Sequence, residues 1–164
     1  MNNDEKRRAE RSESEAERND RNFAELLQEL RVVQMGVQIL FAFLLTMPFQ
    51  SRFSTLDSFQ RGTYVTTLLL AVLAAVIFTA PAALHRGLFG EGAKAEIVTG
   101  SSRLAGAGLV VLTLALTSAV LLIIDVVHGA PEAFVAAGAT LLTCVLLWAG
   151  LPLLVRRHVS RRNT

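Results

Sequence analysis

Polar residues dominate the first thirty positions of the chain, and four long apolar runs fill most of the remainder. The runs cover residues 32–49, 62–84, 104–127 and 133–155, and Asp125 is the one charged residue inside any of them. An α-helix needs about 20 mostly apolar residues to cross a hydrocarbon layer roughly 30 Å thick. Each run is therefore predicted to be a transmembrane helix, the first slightly short. Helices of a soluble bundle would carry a polar face, and these do not. The expected fold class is all-α, a polytopic membrane protein with four transmembrane helices.

The first run does not begin abruptly. Phe23, Leu26, Leu27, Leu30, Val33 and Val37 recur at helical spacing and form one apolar stripe. Arg31, Gln34 and Gln38 fall on another face, within about 60° of arc at 100° per residue. The pattern predicts an amphipathic lead-in: one helix that starts in the cytoplasmic interface and enters the bilayer without a break. Amides in lipid need partners, so Gln34 and Gln38 are expected to face other helices, as interhelical glue ahead of a polar vestibule wall.

Charge divides the chain into three parts. Residues 1–22 hold six basic and seven acidic groups and nothing large and apolar. They are expected to form a charged cytoplasmic tail, disordered or transiently helical through Glu/Arg pairs. With charges so nearly balanced, nucleic acid is not an expected partner. Residues 23–155 form the transmembrane domain, and 156–164 a basic cytoplasmic tail. Of the sixteen Lys and Arg residues, only Arg52 and Arg61 fall between runs one and two, and none between three and four. The positive-inside rule then puts both termini in the cytoplasm, with the plasma (inner) membrane of a bacterium as the expected location. Arg156, Arg157, Arg161 and Arg162 are expected to anchor the last span to anionic lipids, at about 1 kcal/mol per residue.

The connections differ in kind. His128–Glu132 reads as a tight external turn broken by Gly129 and Pro131, so spans three and four are an antiparallel hairpin. Ser51–Arg61 reads as a longer external loop, in which Arg52, Asp57 and Arg61 are placed to form ion pairs. His85–Arg103 is Gly-rich and mixed in charge, and reads as a mobile internal loop.

Composition narrows the chemistry. Hydrophobic residues make up 52% of the chain and charged residues 18%, below the roughly 25% charged of soluble domains. The single cysteine, Cys144, excludes an intramolecular disulfide and a cysteine-based metal cluster. Neither a cluster with metal-ligand spacing, nor G-x-S-x-G, nor a phosphate-cradling Gly loop is present, so no enzyme activity, cofactor or metal is expected. Asp125 is the candidate intramembrane ionisable group, and His128 follows it at i+3, a spacing that lets the two pair and titrate together. Asp125 lies only about 4.5 Å from the turn at 1.5 Å per residue. That depth suits pairing with Arg52 or Arg61 better than a proton relay. No span carries a carboxylate at its middle.

The run Leu26–Leu45, continued by Pro48–Phe53, Asp57–Gly62, Ala80-Pro81 and His85-Arg86, resembles a family of short actinobacterial membrane proteins, domain of unknown function 6328. The likeness covers about residues 22–128. It implies a four-span bacterial inner-membrane protein, and some members carry the label sodium:proton antiporter. Taken together, the residues point first to a non-enzymatic structural or accessory membrane protein that self-associates as a homo-oligomer. The alternative is a small ion or solute transporter acting as a homo-oligomer, with Gln34, Gln38, Asp125 and His128 lining its path.

Overall fold

The computed structural model describes the backbone of residues 3–87 and 94–150, with side-chain surroundings for 21–22, 24–83 and 100–150. The described residues fold into four α-helices: α1 (Asn3–Thr46), α2 (Ser58–Gly87), α3 (Lys94–His128) and α4 (Ala130–Val145). Two 3₁₀ turns, Met47–Phe49 and Ser51–Thr55, join α1 to α2, and a wider π turn over Leu146–Gly150 extends α4. The stretches 24–49, 58–83, 100–127 and 130–150 are long and apolar enough to cross a membrane. The four-span, all-α expectation holds, and the amphipathic lead-in joins the first span as one unbroken helix.

Three boundaries differ from the sequence reading. Residues 3–22, expected as a disordered or transiently helical tail, continue α1. Once a helix is nucleated, each further residue extends it at little cost. Opposite charges four apart, such as Asp4/Arg8 and Glu17/Arg21, sit at a spacing that favours helix. Residues 85–103, expected as an internal loop, are helical except for 88–93, which lie outside the described residues, because α2 runs to Gly87 and α3 begins at Lys94. Most of Ser51–Arg61 is taken up by the second 3₁₀ turn and the first turn of α2. The basic tail 156–164 lies outside the described residues.

A proline ends α1. Pro48 has no N–H, so the carbonyl of Leu44 four residues earlier loses its helical donor. The buried Tyr64 of α2 supplies a replacement, its hydroxyl donating to that carbonyl at 3.1 Å. Phe53 of the second 3₁₀ turn stacks edge-on against the Tyr64 ring, with centroids 5.2 Å apart.

The core lies between α1, α2 and α3 in two clusters. Leu30, Val37, Ala74, Phe78 and Leu112 form the one nearer the start of the first span, and Leu44, Tyr64, Ala71 and Leu122 the one nearer the α1–α2 connection. The tightest approach is between α2 and α3. A methyl group placed on Gly108 would stand 2.6 Å from Cε1 of Phe78, so the ring occupies the space that the missing side chain leaves.

α4 packs chiefly along α3, presenting the fully and nearly buried Ala133 and Ala137. The turn between them is a single residue, Gly129, at φ 107°, ψ 174°, a region open essentially to glycine alone. Pro131 lies in the first turn of α4, where its missing N–H costs nothing. It starts this helix rather than breaking the turn.

Candidate functional site

Polar side chains inside a span must find donors or acceptors within the protein. Most of the threonines in the spans do so locally. Thr63, Thr67, Thr79, Thr113, Thr140 and Thr143 each donate to the carbonyl four residues earlier in their own helix. Such hydroxyls are neutralised where they stand. The Thr117 hydroxyl is an exception, buried without a hydrogen-bond partner.

The five candidate residues fall in two places. Toward the start of the first span, the Gln34 amide of α1 donates to Thr79 Oγ1 of α2 at 3.1 Å. Arg31 and Gln38, on neighbouring turns of α1, are exposed. Gln34 thus meets another helix as expected, and Gln38 does not within the single chain.

The end of the bundle beside the α1–α2 connection holds the second group, and it begins with a helix cap. Asp57 precedes α2, and its Oδ1 accepts from the backbone N–H of Gln60 at 2.8 Å. The Gln60 Oε1 in turn accepts from the backbone N–H of Asp57 at 3.2 Å. This reciprocal pair satisfies two otherwise free donors of the helix start. The remaining donor end of Gln60 reaches α3, where Nε2 donates to Asp125 Oδ2 at 3.1 Å. Gln60 therefore ties the start of α2 to the end of α3.

These contacts replace the pairings that charge alone suggested. Asp57 caps α2 instead of bracing Arg52 and Arg61. The Arg61 guanidinium donates to the Ser54 carbonyl at 3.1 Å, fastening the second 3₁₀ turn to α2. Half-buried Asp125 takes an amide partner in place of Arg52, Arg61 or His128, and His128 is exposed at the α3 terminus. The pattern Asp57-x-x-Gln60 carries the signature of such a cap, whereas nothing in sequence spacing pairs Gln60 with a residue 65 positions on.

A cavity of about 140 Å³ opens beside the outer turns, lined by Met47, Phe53, Leu56, Leu122, Ile123 and Val126 among others. None of the five candidate residues lines it. Among the described residues no three His, Cys, Asp or Glu side chains come together to hold a metal ion.

The family model for DUF6328, a family of unknown function, matches residues 12–152. The chain belongs to this family. The match runs from the N-terminal part of α1 to just past the π turn, so the shared DUF6328 unit includes all four spans. The contacts Gln34 with Thr79, Gln60 with Asp125 and Tyr64 with the Leu44 carbonyl all fall inside it. No curated protein and no solved structure matches the chain.

Proposed function

We propose that this DUF6328 protein is a non-enzymatic structural or accessory component of the bacterial inner membrane, self-associating, with both termini in the cytoplasm. One observation carries the reading. Among the described residues, the bonds between polar side chains of different spans are two separate contacts, Gln34 with Thr79 and Gln60 with Asp125. A transport path needs polar groups that converge on one hydrated space, and these two pairs belong to opposite ends of α2. The cavity beside the 3₁₀ turns counts Gln50 and Arg52 among its lining residues, yet the surface it presents is almost wholly apolar. The arginines of residues 156–164 add an anchor for anionic lipids.

Reconstitution tests this directly. Proteoliposomes holding an imposed pH gradient, with and without Na⁺, are expected to lose it no faster than protein-free vesicles. Dissipation by the wild-type protein that disappears in Asp125→Asn would replace this reading with ion exchange.

A further inference from the structure

α1 carries two stripes, and the fold uses one of them. Leu26, Leu30, Val33, Val37, Leu40 and Leu44 are buried or half-buried against α2 and α3. Gln28, Arg31, Met35, Gln38, Ala42 and Leu45 are all exposed. At 100° per residue the second stripe is centred about 150° round the helix from the first. Both stripes advance by alternating steps of three and four, the spacing by which one helix meets another along a seam.

Gln38 gives the exposed stripe its meaning. It stands ten residues before Pro48, so about 15 Å below the outer end of the span at 1.5 Å per residue. In a hydrocarbon layer about 30 Å thick this is the middle. Its amide makes no side-chain hydrogen bond among the described residues, although Gln34 one turn away is bonded to Thr79. Lipid tails offer an amide neither donor nor acceptor.

We propose that α1 is the seam of a parallel homodimer, in which Gln38 pairs with Gln38 of a second copy at the bilayer midplane. This rests on the self-association proposed above and names its surface. A primary amide carries both a donor and an acceptor, so two of them related by a two-fold axis satisfy each other. Copies inserted with the same topology can meet through one face about such an axis along the membrane normal. Ala42 lets the backbones approach one turn further out. Arg31 lies at the inner end of the stripe, where its long stem carries the guanidinium aside to the headgroups. A buried polar residue at one seam position also fixes register and copy number.

Full-length protein with Cys144→Ala, carrying one new cysteine, tests the seam by oxidative cross-linking in native membranes. Met35→Cys and Ala42→Cys should give disulfide-linked dimers, and Val32→Cys and Phe43→Cys, about 90° and 110° round the helix from the centre of the stripe, should give far fewer. Förster transfer between labelled copies in liposomes gives the strength. Gln38→Leu is expected to weaken the dimer roughly 3- to 30-fold, the range for one interhelical hydrogen bond, and Gln38→Asn to keep most of it. An unchanged dimer in Gln38→Leu, or cross-links favouring Val32 and Phe43, would overturn the seam while leaving self-association intact. A wild-type chain that stays monomeric at all protein-to-lipid ratios would overturn both. The pH-gradient assay reports on the non-transport reading independently of either result.

Discussion

Tyr64 shows how a single side chain repairs a defect that another creates. Pro48 ends α1 and strips the Leu44 carbonyl of its donor, and the Tyr64 hydroxyl restores it at 3.1 Å. Removing one partner of a buried hydrogen bond leaves the other unsatisfied, at about 1–3 kcal/mol. Tyr64→Phe is expected to destabilise the protein by that amount, read as a lower midpoint of unfolding in mixed micelles. The ring contact with Phe53 survives the change, so a larger loss would point to something beyond the hydroxyl. Residues of this kind are barely legible in sequence. Tyr64 reads as one aromatic in an apolar run, and its role depends on a carbonyl twenty positions away. Gln34 is legible as a contact residue because an amide in lipid must bond, whereas its partner Thr79 is not.

At the scale of helices, hydropathy alone separates the four spans with little ambiguity. Helix ends are harder, because glycine and mixed charge mark loops and interfacial helix turns alike. That is why Lys94–Arg103 reads as loop and folds as the start of α3. Small residues are legible as a class but not individually. Gly106 meets no side chain where a Cβ would stand, whereas Gly108 faces the Phe78 ring at 2.6 Å. Gly108→Ala should therefore separate α2 from α3 and cost about 1–3 kcal/mol, as overpacked cores do. Adding Phe78→Leu to the same chain should recover part of that loss in the same unfolding measurement. Gly106→Ala should cost far less. If the two glycines respond alike, the close approach of Phe78 is not what limits the packing.

The whole molecule is less closed than four helices permit. α1, α2 and α3 share the core, and α4 joins through α3 and a one-glycine turn. Its outward surface keeps large apolar groups such as Phe134 and Val135 exposed, which suits lipid. The Lys/Arg distribution, legible from sequence alone, predicts how this assembly sits. In the Cys144→Ala background, cysteines at Ser14 and Ser160 are expected to react with an impermeant maleimide only from the cytoplasmic face. A cysteine at Glu132 should react only from outside. Labelling of Ser14 and Ser160 from opposite faces would mean an odd number of crossings and would refute the four-span topology. The candidate site is legible as a set of residue types and not as an arrangement. Spacing along a helix reports which residues share a face, but not which helix that face meets.

The unbroken length of α1 has a consequence beyond the bilayer. Between Asn3 and Ala24, where the first apolar stretch begins, the helix advances about 32 Å at 1.5 Å per residue. Near physiological salt the Debye length is about 8 Å, so with that stretch in a bilayer the far end would stand about four screening lengths from its surface. Its alternating charges are thus free of the surface potential that governs the arginines beside the spans. Whatever meets that end reads the stalk by its own charge pattern, and a twist of the span would reach it as rotation of a rigid rod.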